Sequence, residues 1–272
     1  MIVITGATGN VGRPLVQALA AAGEEVTAVS RRTAEVPEGV RHHRADLTRP
    51  ETLEPALDGA EAVFLLTGAE FLAGGNLNDV MTVVRAAGVE RVVLLSSQGV
   101  GTKRHPSDHE DALTRSGLDW VILRPGNFDS NALQWAPAVR AQRVVEAPFA
   151  EVALPAIDPA DIAEVAAMAL TDAAHASNTY TLTGPAPISP RQQAHEIALA
   201  LNEPVRFVEL TRTEARDRMV RFMPRPVVDA TLDVLGSPSA DEQEVSPDVE
   251  KVLGRPARTF GDWAIRNVEA FR

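Results

Sequence analysis

Through the first half of the chain, short apolar runs alternate with segments of helical spacing. Runs rich in Val, Leu and Ile predict strands over 2–5, 25–29, 40–44, 62–66, 91–95 and 119–123. Most are apolar without a polar alternate, as expected of strands covered on both faces. Between them Val11, Leu15, Ala18, Leu19 and Ala22, and later Val80, Val83, Val84 and Ala87, recur at the spacing of one helix face. Gly23 and Gly88 stand where these helices would end in a left-handed cap. Repeated strand–helix–strand units predict an α/β fold, a doubly wound parallel sheet with right-handed crossovers. Thr48 and Glu51 suggest a short helix start, but Pro55 falls in its middle and spoils it.

Beyond about Phe128 the rhythm changes. Asp158-Pro159-Ala160-Asp161 starts a helix with Ile162, Val165, Ala166 and Ala169 on one face. Ser189-Pro190-Arg191-Gln192 reads as a capping box with Pro in the first turn. A strand over 179–183 is expected on the side of a small C-terminal α/β cap. Residues 212–235 look helical but are interrupted by Pro224 and Pro226, and 237–244 read as a polar surface loop. Neither an internal repeat nor a long linker is visible. The expected division is a sheet core over 1–128, with 129–272 supplying the remaining sheet elements interleaved with a smaller cap.

Composition narrows the chemistry. The 272 residues carry 26 Lys and Arg against 37 Asp and Glu, a formal charge of −11. That balance argues against a protein that coats nucleic-acid phosphates, which needs clustered Lys and Arg. With no cysteine, disulfides, thiolate metal sites and cysteine nucleophiles are excluded. No basic segment precedes the first apolar run, and no run reaches the roughly 18–20 residues of a membrane span. A cytoplasmic location with no membrane partner is therefore expected, the partner being a small-molecule substrate.

The strongest chemical signal is the stretch Gly6-Ala7-Thr8-Gly9-Asn10-Val11-Gly12. It sits between a predicted strand and a predicted helix, the context that a phosphate-binding turn requires. Gly6 permits the sharp turn, Gly9 lets the backbone approach a pyrophosphate, and Gly12 allows close helix–strand packing. The helix end offers N–H groups and partial positive charge to the anion. Residues 1–128 thus read as a Rossmann-type dinucleotide-binding core, and the 129–272 cap as the substrate-binding part. NAD-selective sites place an acid after the second strand, to bind the ribose 2′-OH. Here that strand ends in Ser30-Arg31-Arg32, two guanidiniums suited to a 2′-phosphate, so NADP(H) is the expected cofactor.

The G-x-x-G-x-x-G spacing resembles the short-chain dehydrogenase/reductase superfamily, and further motifs narrow the match. Asp46-Leu47 follows the third strand, Leu66-Thr67-Gly68 ends the fourth and Ser96-Ser97 ends the fifth. The stretch Ser116-Gly117-Leu118 through Ile122-Leu123-Arg124-Pro125-Gly126-Asn127-Phe128, with the later Asp158–Ala163 segment, is similar to the NmrA-like, atypical branch. The resemblance covers nearly the whole chain. It implies adenine contacts from Asp46 and Leu47, ribose and pyrophosphate contacts from Thr67 and Gly68, and cofactor contacts from Thr8, Asn10, Val11, Ser96, Pro125 and Phe128.

One element of the superfamily pattern is missing. Its usual proton donor is the Tyr of a Tyr-x-x-x-Lys pair after the fifth strand, but the alignment puts Thr102 and Pro106 there. The single tyrosine, Tyr180, lies far downstream. Lys103, His105 and His109 crowd the neighbourhood without matching it, and His is the natural proton shuttle near neutral pH. Catalytic candidates are therefore Ser97, His105 and His109, with solvent as a further donor. His42-His43 reads as a strand face, and no metal site is expected. Phe128, Asn131, Trp135, Phe222 and Met223 are available to line a pocket. Two functions remain open: an NADPH-dependent reductase of a small carbonyl, enone, imine or quinone, and a catalytically inactive NADP(H)-binding redox sensor of the NmrA-like type.

Overall fold

The computed structural model describes all 272 residues, the side chain of Ala69 excepted. The strands are β1 (Ile2–Thr5), β2 (Val26–Ser30), β3 (Arg41–Arg44), β4 (Ala62–Leu66), β5 (Arg91–Leu95), β6 (Asp119–Pro125), β7 (Val144–Pro148), β8 (Asn178–Leu182) and β9 (Arg206–Leu210). The chain divides into two units. The first comprises Met1–Pro125, Pro159–Leu182 and Asp248–Arg255; the second comprises Gly126–Asp158, Thr183–Pro247 and Pro256–Arg272.

In the first unit seven strands form one parallel sheet in the order β3-β2-β1-β4-β5-β6-β8. The pleat sends successive residues to opposite faces. Val3, Val63, Leu65, Val92, Leu94 and Ile122 share one buried cluster with Val80, Met81, Val84 and Leu113 of helices Leu77–Ala86 and Asp108–Thr114. Their neighbours Ile4, Phe64, Val93 and Leu123 are equally buried. Helices Gly12–Ala21 and Pro159–Thr171 pack together and against strands of the same sheet. Helix Gly12–Ala21 ends as its glycine predicts: Gly23 adopts a φ of +84° and donates to the Ala20 carbonyl, while Glu24 reaches back to Leu19.

Some boundaries and placements differ from the sequence reading. The strand expected at 179–183 is β8, and it belongs to the main sheet rather than to the cap side. Its backbone pairs with β6 from Val121↔Asn178 to Pro125↔Leu182, a partnership between distant segments that local periodicity does not encode. Pro55 does not break an element, because the segment divides into a 3-10 turn, Pro50–Leu53, and a helix, Glu54–Leu57. Pro55 then falls in the first turn of the helix, where a missing N–H costs nothing. The expected loop at 237–244 contains a helical turn, Ala240–Gln243, closed by a Ser239/Glu242 capping box.

The second unit has its own core of Trp135, Val139, Val145, Ile197, Trp263 and Phe271. Trp263 sits between Phe260, whose ring is tilted at a centroid distance of 5.2 Å, and Phe271, edge-on at 6.2 Å. The short parallel pair β7–β9, absent from the sequence reading, lies here. Helices Arg212–Met219 and Arg225–Gly236 are separated at Pro224 as expected, but Pro226 falls in the first turn of the second helix and does not interrupt it. Among the described residues no helix is long and apolar enough to cross a membrane.

Candidate functional site

The order of the main sheet reverses direction between β1 and β4: β2 and β3 extend to one side, β5, β6 and β8 to the other. Parallel sheets bind ligands outside the carboxyl ends of their strands at such a switch point. The glycine turn emerges there. Gly6 has a φ of +63°, in the left-handed region, and its free α-position faces the Leu66 side chain. Gly9 donates to the Gly6 carbonyl at 3.0 Å, closing the turn. A Cβ on Gly12 would lie 2.2 Å from that same carbonyl oxygen, so only glycine fits. The third glycine thus guards the turn itself, not only helix–strand packing.

Helix Gly12–Ala21 then begins with no side-chain cap and no acid in its first turn. Its N-terminus keeps its positive character for an anion. Thr8, Gly9 and Asn10 are exposed beside it. A cradle that closes only on glycine, in front of an uncapped helix end, fits a dinucleotide pyrophosphate. Thr5 supports it in a way the sequence reading did not anticipate. Its hydroxyl donates to the Phe64 carbonyl at 3.1 Å and accepts from the Leu66 N–H at 2.8 Å. Those bonds tie β1 to β4 beyond the last ladder pair, Ile4↔Phe64.

The tip of β2 is equally organised. Ser30 Oγ donates to the Arg32 carbonyl at 2.6 Å, which leaves its oxygen to accept from His42 Nε2 at 2.9 Å. Arg44 Nε donates to the Arg31 carbonyl at 2.9 Å. Both Arg31 and Arg32 are exposed, and the Arg31 guanidinium pairs with Glu70. After β3, Asp46 Oδ1 accepts from the Thr48 N–H at 3.0 Å and the Thr48 hydroxyl at 2.9 Å. These bonds hold the Asp46 carboxyl below its ordinary range, with smaller help from Arg49 and Arg31. Leu47 packs on the core. Past β4, Thr67 is half-buried, and the Gly68 carbonyl accepts from Leu72 across the turn Ala69–Leu72.

At the ends of β5 and β6 the surroundings are built by side chains. Ser96 donates its hydroxyl to Glu110, a carboxylate 5% exposed. Arg124 forks onto that same carboxylate, through Nε at 3.0 Å and a terminal nitrogen. The bond to Glu110 raises the already high pKa of Arg124. No local pattern in the sequence marks Glu110, which meets Arg124 fourteen residues further on. Ser97 caps the turn Gln98–Gly101, its oxygen accepting from the Gly99 N–H at 3.1 Å. His105 is exposed and lies over Gly99, where an added Cβ would meet its Nδ1 at 2.5 Å. His109 sits on helix Asp108–Thr114 with its ring 5.4 Å from that of Phe71. Burial pushes the His109 pKa down, and Asp108 only partly restores it.

The structure therefore gathers Gly6 through Gly12, Arg31, Arg32, Asp46, Leu47, Thr67, Gly68, Ser96, Ser97 and Pro125 at the carboxyl ends of neighbouring strands. Phe128 belongs to the second unit, where it bridges to Ile157 at the start of the 3-10 segment Asp129–Trp135. Asn131 bonds Asn127 at 2.8 Å. Of the remaining pocket candidates, Trp135 is a core residue, Met223 packs on the Leu210–Val228 cluster and Phe222 is 86% exposed. Tyr180 bonds His175 Nδ1 at 2.8 Å on the outermost strand of the sheet. Among the described residues no group of three or more His, Asp or Glu is placed to hold a metal ion.

Comparison with known proteins agrees with this geometry. Residues 6–173 match the model of an NAD(P)H-binding family. The chain is 36% identical to the (4-alkanoyl-5-oxo-2,5-dihydrofuran-3-yl)methyl phosphate reductase of Streptomyces griseus, covering 100% of this chain and 99% of that protein. It is 32% identical to the NAD(P)H azoreductase of Xenophilus azovorans, again over 100% of this chain and 99% of the other. The fold matches the NADPH complex of an Escherichia coli NADPH-dependent quinone oxidoreductase with a TM-score of 0.80 at 24% identity, covering 98% of this chain and 99% of that one. The protein belongs to the NAD(P)H-binding family, with the Rossmann-type fold of the NmrA-like, atypical short-chain dehydrogenase/reductases.

Proposed function

We propose that the protein is an NADPH-dependent oxidoreductase that reduces a small-molecule carbonyl, enone, imine or quinone by hydride transfer, without a Tyr-x-x-x-Lys pair. The observation that carries this reading is the tip of β2, which presents Arg31 and Arg32 where an NAD-selective site carries an acid. Reductase relatives at 36% and 32% identity over the full chain support the reaction class. Bound NADPH supplies the hydride, while this chain binds it, orients it and handles the proton.

The turn from Gly6 to Gly12 anchors the pyrophosphate, and Asp46, Leu47, Thr67 and Gly68 flank the adenosine. Ser97 is the resident proton donor best suited to the task. Its oxygen already accepts from Gly99, which leaves its own hydrogen to donate. Burial lowers the His109 pKa, so less of its ring carries a proton to give near neutral pH. A substrate whose reduction yields a stabilised oxyanion takes its proton from Ser97 or from water. The test is NADPH consumption with a panel of quinones, enones, imines and carbonyls, followed by the same assay on Ser97→Ala, His105→Ala and His109→Ala. Turnover of at least one class, with both histidine variants near the wild-type rate, is expected. Tight NADPH binding without turnover of any class would instead favour the sensor.

A further inference from the structure

We infer that Glu70 is a resident competitor of the cofactor's 2′-phosphate, holding Arg31 in the free protein and making the turn Ala69–Leu72 a strap that only the phosphorylated cofactor releases. The inference rests on the reading of Arg31 as a 2′-phosphate ligand and deepens it. Glu70 and Arg31 are 39 residues apart in sequence, yet their charged ends are paired, with side chains 71% and 61% exposed. A carboxylate offers a guanidinium the same forked oxygens that a phosphate does. Here the contact is a single one, from one terminal nitrogen of Arg31 to one Glu70 oxygen, so a phosphate that forks onto Arg31 through that nitrogen must displace it. A ligand without the 2′-phosphate has no need of Arg31 and leaves the pair closed.

The strap's construction suits release. Gly68 precedes it and Gly74 follows it, each with open space where a Cβ would stand. Among the described residues its backbone bonds are local, Leu72 to the Gly68 carbonyl and Gly74 and Gly75 to that of Phe71. Phe71 is the fixed point: it is buried, rests on His109 and fills the space beside Gly75, where an added Cβ would come within 2.4 Å of its ring. Among the described residues Glu70, the adjacent residue, is tied to the rest of the unit through its exposed carboxylate. Losing Arg31 therefore frees one end of the turn while the other stays anchored.

Calorimetry on the full chain tests this with NADPH and NADH, and with 2′,5′-ADP and 5′-AMP as probes of the adenosine end alone. Glu70→Gln is expected to tighten NADPH and 2′,5′-ADP about two- to fivefold, the range set by an exposed ion pair, and to leave NADH and 5′-AMP unchanged. In an Arg31→Ala background the same change should have no effect on any of the four ligands. Equal tightening of phosphorylated and unphosphorylated ligands would overturn the inference, as would a weaker grip on NADPH in Glu70→Gln. Arg31→Ala that weakens NADPH selectively while Glu70→Gln is silent would overturn the competition alone. Arg31→Ala that leaves NADPH and NADH unaltered would overturn the underlying assignment of Arg31 as well.

Discussion

The turn after β1 and the surroundings of the ends of β5 and β6, from Ser96 to Arg124, lie on one sheet, yet they are built in opposite ways. Backbone makes the first: Gly6 in a left-handed conformation, Gly12 with no room for a Cβ, and an uncapped helix end. Side chains make the second: a serine cap at Ser97, a histidine ring against Phe71 and a buried carboxylate shared by Ser96 and Arg124. Phosphate binding by backbone demands residues that few substitutions satisfy, so it is written openly in the glycines. Proton donation demands one suitable group at one place, and different residues meet that need from different positions.

The sharpest way to test that contrast is to put a side chain where backbone alone fits. Gly12→Val should abolish NADPH binding by calorimetry and lower Tm, because its Cβ would start 2.2 Å from the Gly6 oxygen. Gly9→Ala, with its Cβ at 3.3 Å, should keep the fold and bind less weakly than that. Unchanged NADPH affinity in Gly12→Val would move the phosphate site elsewhere.

The next largest effect falls on the side-chain half. Arg124→Met strips the fork from a carboxylate 6% exposed at its side chain, which should cost roughly 3 kcal/mol in urea unfolding. The double variant with Glu110→Gln should recover much of that loss. A cost near zero would show the pair to be ornamental and the two halves less different than they look. Smaller again is selectivity at the β2 tip. Changing Arg31 and Arg32 together to Ala should weaken NADPH at least about tenfold, near 1.4 kcal/mol, and leave NADH nearly alone. Added salt should shrink the gap in the wild type. Equal affinities for the two cofactors in the unmodified protein would dissolve the argument.

The smallest effect is a pH dependence from His109. Its folded pKa is lowered by burial, so the unfolded chain takes up the proton first as pH falls. The stability it contributes is full above the ordinary histidine range, about 6.5, and is lost as pH drops through the folded value. Urea midpoints measured across that window should fall with pH in the wild type and flatten in His109→Gln. A wild-type midpoint that rises as pH falls would mean the ring is charged in the fold and paired with Asp108.

What the chain declares on its own is whatever depends on local dihedrals and periodicity. The runs at β1, β4 and β5 have their predicted ends, because apolar residues without polar alternates suit only strands covered on both faces. The glycine turn is legible because left-handed φ and the space for a Cβ are properties of single residues. The arginine pair at the tip of β2 is legible because a strand end fixes where they emerge. What only tertiary structure decided is partnership. Asn178–Leu182 reads as a strand in any context, but its place beside β6 depends on hydrogen bonds to a segment far earlier in the chain. Glu110 finds Arg124 fourteen residues on, and Glu70 finds Arg31 thirty-nine residues back. Trp135, a pocket candidate from its chemistry, proves to be core because Val139, Trp263 and Phe271 close around the same cluster. A side chain's type says what it can bond, whereas the partner it meets depends on where the rest of the chain folds.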